Sequence, residues 1–227
     1  MPIQPLSRVV PPNKGVDLHF MNQDTMARRP MLAALIAETI AEWSQVECSL
    51  GVILAVILET EAQTGLAMLL TLTSSNNQMT MVSAAAKAKL TVADEELFSA
   101  VLSLVRSAAK DRHKFAHWCW AYTSVLPDAL LLIAPTHQAK WLANMLGYHD
   151  PIGADISHDD IYVLREDDAR ETLQRMRDTR AWLWELIGIF KEQIDRQKRA
   201  ERRQKLSTEP PILEALTRLR KGRQNNP

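Results

Sequence analysis

Between Leu32 and Ile57 the chain repeats apolar residues every three or four positions: Leu32, Leu35, Ile36, Ile40, Trp43, Val46, Leu50, Ile53, Leu54 and Ile57. At about 100° per residue that spacing lines one face of an α-helix, and a strand period of two does not produce it. The pattern predicts one long amphipathic helix over about 25–60, bent near Pro30 or Gly51. An apolar stripe this long needs long elements to cover it, so further long helices are expected.

They are legible downstream. A second helical zone covers about 61–90, interrupted by "TSSNNQ" at 73–78, residue types that prefer caps and turns to helix interiors. "TVADEELF" at 91–98 starts a third helix, with Thr91 as N-cap and Asp94, Glu95 and Glu96 opposing the helix dipole in the first turn. Leu97, Val101, Leu104, Val105 and Ala108 form its inward face. The segment "WCWAYTSVLPDALLLIAP" at 118–135 is aromatic and β-branched around a Pro-Asp pair and predicts a two-stranded hairpin. A short helix near 136–146, a loop over 148–160 and a short strand at 161–164 follow. A last long helix is expected from Glu166 to about Leu206, broken by "STEPP" at 207–211, with a short basic helix after it.

The fold expected is therefore mainly α: an antiparallel helical bundle with a small inserted β-hairpin. Residues 1–24 hold Pro2, Pro5, Pro11 and Pro12 without periodicity and are expected as a flexible arm. The bundle is expected over 25–206, with the hairpin near 118–135, and a basic tail over 207–227.

Several function classes lose support. The seven glycines are scattered, and no GxGxxG, GxxxxGK or GxSxG pattern occurs. Cys48 and Cys119 are too few for a disulfide framework or a four-ligand zinc site. The stretch from Met31 to Leu58 is very apolar, but Glu38, Glu42 and Glu47 disfavour a bilayer span. "MPIQPLSRVVPPNKG" at the N-terminus lacks the apolar run of a secretory signal. A soluble, cytoplasmic protein without a membrane partner is expected.

The chemistry concentrates in "DRHKFAHWCW" at 111–120. Arg112, four residues, then His117 spells R-x4-H at the end of a helix. His113, a polar residue, follows the arginine, and Ala116 precedes the histidine. Placed at a helix C-terminus between long helices, this motif resembles the signature of the HEPN superfamily, helical-bundle domains carrying R-x4-6-H. The resemblance would cover about residues 25–200. It implies a metal-independent endoribonuclease of toxin or phage-defence type, needing no cofactor. It also implies a homodimer that brings two motifs together, with RNA as substrate and an antitoxin or regulatory protein as a further partner. Arg112 and His117 would be catalytic, with His113 supporting. The polar position is often Asn or Asp in that family, and His113 departs from it.

The residue types suit that chemistry. RNA carries its own nucleophile, the 2′-OH, so cleavage needs a proton acceptor, a proton donor and cationic stabilisation of the phosphorane. Histidine titrates near neutral pH, and arginine offers a planar fork to phosphate oxygens. Plainer readings fit the same residues. His117 as a core histidine bonded to a carbonyl, and Arg112 as an ordinary C-terminal helix cation, are both open. His113 and His117 share a helix face as zinc ligands would, but no third ligand is near, and His137, His149 and His158 are scattered. Overall, a non-catalytic helical interaction module, binding a nucleotide or a protein partner, is the alternative to an enzyme.

Formal net charge is zero, yet Lys191–Pro227 holds 11 Lys/Arg against 5 Asp/Glu. That local excess points to an anionic partner, with Arg199, Arg202 and Arg203 as RNA-binding residues; a solvated helix end is the plainer reading.

Overall fold

The computed structural model describes residues 3–11, 15–20, 24–147, 157–191 and 195–224. The expected loop at 148–160 and His149 lie largely or wholly outside them, as does Ile194. The chain is mainly helical, with a small antiparallel sheet. Among the described residues the helices are α1 (Asp24–Ala27), α2 (Pro30–Leu58), α3 (Ala62–Leu70), α4 (Ser75–Lys89), α5 (Val92–His117), α6 (Pro135–Met145), α7 (Glu166–Phe190), α8 (Arg196–Thr208) and α9 (Pro210–Gln224). The strands are β1 (Gln4–Pro5), β2 (His19–Phe20), β3 (Cys119–Tyr122), β4 (Leu130–Ile133) and β5 (Ile161–Leu164).

The chain divides into two compact units, each built from separated segments: residues 1–41 with 111–174, and residues 42–110 with 175–227. The first unit contains the sheet, in the order β1-β5-β4-β3-β2, all antiparallel. The expected hairpin is present as β3 and β4, with Cys119 opposite Ile133. It forms part of a larger sheet than predicted, because β4 is buried at every residue and needs a neighbour on both sides. One neighbour is β5; the outer edges come from the segment expected to be an arm. Gln4 and Pro5 pair with Val163 and Tyr162, and His19 and Phe20 pair with Tyr122 and Ala121. Two-residue strands are too short to display a period, and Pro5 is tolerated because it sits on an edge.

Alternation along the strands sends Leu130, Leu132 and Leu164 to one face, where they meet Leu32, Leu35, Ile36, Phe115 and Leu173. Leu131, Ile133, Ile161 and Val163 go to the other, against Leu6 and Val10.

The second unit is helical. Trp43, Val46, Leu50, Ile53, Leu54 and Ile57 of α2 pack with Phe98, Val101, Leu102 and Val105 of α5 and Leu183, Leu186 and Ile189 of α7. Each such apolar side chain contributes about 1.5–3 kcal/mol by leaving water. α2 has the length and composition to cross a membrane, and half of its most apolar window is buried within the protein. α3 approaches α2 closely: a Cβ placed on Gly65 would lie 2.6 Å from the Gly51 carbonyl oxygen and 2.6 Å from the Ala55 Cβ.

Two boundaries differ in detail from expectation, while the short helix expected after 207–211 is present. α3 and α4 are separated by residues 71–74 alone, and Gln78, inside α4, donates to the Leu72 carbonyl at 2.9 Å. The last long helix is divided: α7 ends at Phe190, and Asp195 caps α8 by accepting from the Gln197 N–H at 2.9 Å. The tail contains α9, whose Ile212, Ala215 and Leu216 are buried in the second unit's core.

Candidate functional site

The motif ends α5. Thr91 caps the far end of that helix, its Oγ1 accepting from the Asp94 N–H at 3.3 Å, as the sequence predicts. Phe115, 1% exposed, pins the last turn into the sheet-facing cluster of the first unit. At about 100° per residue, His113 and His117 then lie about 160° away from Phe115, on the opposite face, and Arg112 about 60° away, at the margin of the buried stripe. Both histidines are exposed accordingly, which removes the core-histidine reading of His117.

Arg112 Nη1 donates to His117 Nε2 at 3.3 Å. Arg112 Nε is buried without a hydrogen-bond partner. The rings of His113 and His117 lie 4.8 Å apart at an interplanar angle of 48°. The structure therefore brings all three motif residues together at one helix end.

Lys114 was not singled out by the sequence. Its Nζ lies 5.6 Å from the Trp118 ring centroid and 5.2 Å from that of Tyr162, and the two rings meet edge-on at 5.4 Å. The Lys114–Trp118 half of this arrangement is an i,i+4 pair that sequence displays. Tyr162 arrives from β5, 48 positions away, and carries no local signal. Partial burial pushes the Cys119 thiol up, away from the thiolate that a nucleophile needs.

The other histidines do not join the motif. His137 Nδ1 lies 3.1 Å from Asp160, and the carbonyl of His158 accepts from the Ser7 N–H at 3.2 Å. Among the described residues no group of three or more His, Cys, Asp or Glu could hold a metal ion.

The second candidate set lies in the helical unit, and its members separate. Arg199 Nη2 lies 3.0 Å from Asp94 Oδ2, and Arg203 Nη2 bonds Asp94 Oδ1. Arg202 turns to Glu185 at 2.7 Å, where Lys205 joins at 3.2 Å. Arg220 forms a two-pronged pair with Glu96 at 3.0 and 2.9 Å. The arginines read as a surface for RNA thus first meet the chain's own acids. Sequence placed Asp94 and Glu96 only in the first turn of α5; their role as anchors for α8 and α9 is long-range.

No family model, curated protein or solved structure matches this chain.

Function is therefore carried by the geometry alone. An exposed imidazole bonded to a guanidinium at a helix end, with a lysine held over two aromatic rings one turn away, can hold a phosphate oxygen and exchange a proton beside it.

Proposed function

We propose that the chain is a soluble, cytoplasmic, HEPN-like helical-bundle protein and a metal-independent endoribonuclease acting as a homodimer. A toxin or phage-defence role, with an antitoxin or regulatory partner, is the biological setting that the resemblance implies. The 3.3 Å contact between Arg112 and His117 on an exposed helix end carries this reading.

In the proposed reaction a phosphate oxygen of RNA, a stronger acceptor than imidazole, draws the guanidinium off Nε2 and frees its lone pair. His117 then takes the 2′-OH proton while O2′ bonds to phosphorus. The bond from phosphorus to O5′ breaks, and the leaving oxygen takes a proton from the second subunit's histidine, which enters the reaction as the imidazolium and leaves it neutral. Arg112 stabilises the charge on the non-bridging oxygens. The products are a 2′,3′-cyclic phosphate and a 5′-hydroxyl. One motif supplies half of this machinery, and a two-fold dimer supplies the rest.

The test is purified protein on mixed RNA with a chelator present, wild type against His117→Ala, with light scattering on the same samples. Cleavage by a dimer that is lost in the variant supports the proposal. A monomer at micromolar concentration, or equal cleavage by His117→Ala, overturns it in favour of a non-catalytic interaction module.

A further inference from the structure

Arg196, Arg199 and Arg203 recur along α8 at spacings of three and four and so share one face. That face and the start of α5 border an open cleft of about 610 Å³, lined also by Thr91, Asp94 and Ser207. The size lies within the range of small-ligand sites, roughly 300–1,000 Å³. Three guanidinium groups against one carboxylate leave the cleft with a net charge of +2. Arg199 and Arg203 each give Asp94 an Nη2 nitrogen, which leaves most of their donors uncommitted to that carboxylate. Arg196 has no hydrogen-bond or ion-pair partner among the described residues. Arg196 stands at the first position of α8, next to the capping Asp195. Arg202, by contrast, lines a separate groove with Lys198, Lys205, Glu185 and Glu201, where two acids leave a net charge of +1.

We propose that this cleft binds the phosphate of a nucleotide, free or within RNA, with Arg196 as the principal contact and Arg199 and Arg203 as the supporting fork. Asp94 holds the two supporting guanidiniums in place and also opposes the ligand's charge. Thr91 and Ser207 complete the lining, their hydroxyls donating to Asp94 Oδ2 at 2.8 Å and to the Gln204 carbonyl at 3.0 Å. The site lies in the helical unit, contains none of the motif residues, and is independent of the ribonuclease reading.

Calorimetric titration of the full chain with ATP, and separately with a short single-stranded RNA, tests it. Adenosine serves as the uncharged control. Saturable binding of one of the charged probes but not of adenosine is expected. Arg196→Ala should weaken it about tenfold or more, the effect of losing a charge-assisted contact. Lys198→Ala removes the same charge from the same helix outside the cleft and should leave affinity within about twofold. Both residues are exposed, so neither substitution should unfold the chain. Asp94→Asn, if folded, should tighten binding, which a merely structural role would not do. Tighter ATP than RNA identifies a free nucleotide as the ligand; RNA without ATP identifies the phosphodiester backbone. Absence of saturable binding of either probe, or equal losses in Arg196→Ala and Lys198→Ala, overturns the proposal. His117→Ala should bind both probes as wild type does, so loss of cleavage and loss of cleft binding are separable.

Discussion

Arg199 and Asp94 meet at 3.0 Å although 105 positions separate them in sequence. The Asp94 side chain is only 2% exposed and also engages Arg203, while its backbone N–H takes the cap from Thr91. One carboxylate thus closes the start of α5 and fastens α8 to it.

Asp94→Ala should accordingly cost more than a surface pair. Breaking a fully buried ion pair costs about 3–5 kcal/mol, but Arg199 and Arg203 are 44% and 37% exposed and can rehydrate. Loss of about 2–3 kcal/mol is expected, read as a lower urea midpoint. Arg199→Ala alone should cost less, about 1 kcal/mol or below, because Arg203 still satisfies the carboxylate. Equal stability of Asp94→Ala and wild type would contradict the anchor.

Gly65→Ala tests the close approach of α3 to α2. The added methyl would meet a backbone oxygen and Ala55, neither of which can rotate away. Overpacking of this kind costs about 1–3 kcal/mol. Gly222, also helical, has nothing within 4 Å of its ideal Cβ. Gly222→Ala should be neutral or stabilising by up to about 1 kcal/mol, since alanine is the better helix former. Thermal melts of the two variants should move in opposite directions or, at the least, differ clearly.

Asp17 ties the segment before β2 to the β3–β4 connection. It accepts from the Ser124 hydroxyl at 2.7 Å, the Thr123 hydroxyl at 2.8 Å and the Ser124 N–H at 3.1 Å. The Ser124 and Thr123 hydroxyls hold its carboxyl well below the ordinary value of 3.8. A carboxyl whose folded value is lowered adds stability that is present above the unfolded value and is lost as pH falls through the folded one. The stability gap between wild type and Asp17→Asn should therefore be constant near neutrality and shrink once pH drops below about 4. Denaturation at a series of pH values measures it; a gap that widens on acidification would show the sign to be wrong.

These anchors also mark where the sequence was readable. The stripe from Leu32 to Ile57 displays its period locally, and so does the inward face from Leu97 to Ala108; both are helical and mostly buried. β3, β4 and β5 were readable because an apolar or aromatic run between turn residues is a local pattern. β1 and β2 were not, because their partners are over 100 positions away and two residues carry no period. The charge excess after Lys191 was legible, but its destination was not: only the fold places Arg199 and Arg203 against Asp94 and Arg202 against Glu185. Arg112 and His117 were legible as a spaced pair, but five positions on a helix set side chains about 140° apart, so their contact was not, and neither was Tyr162 beside Lys114.

The motif's chemistry separates by substitution. His117→Ala removes the proton acceptor, and such a group is typically worth about 10²–10⁴ in rate, so single-turnover RNA cleavage should fall by that factor. Arg112→Lys keeps the charge but replaces a planar fork with a point donor, so cleavage should also fall; Lys and Arg are not interchangeable at a phosphate. His113→Asn should be tolerated best, because His113 only lies beside His117 with its ring tilted by 48°, does not bond Arg112, and can be replaced by an amide that still supports a polar face. Cleavage should continue with chelator and leave a 2′,3′-cyclic phosphate end, detectable by its resistance to polyadenylation until the cyclic phosphate is opened and removed. Arg112→Lys as active as wild type would deny the guanidinium a role at phosphorus. Activity that disappears with chelator would instead make His113 and His117, with rings 4.8 Å apart on one helix face, two ligands of a metal centre completed by a second subunit.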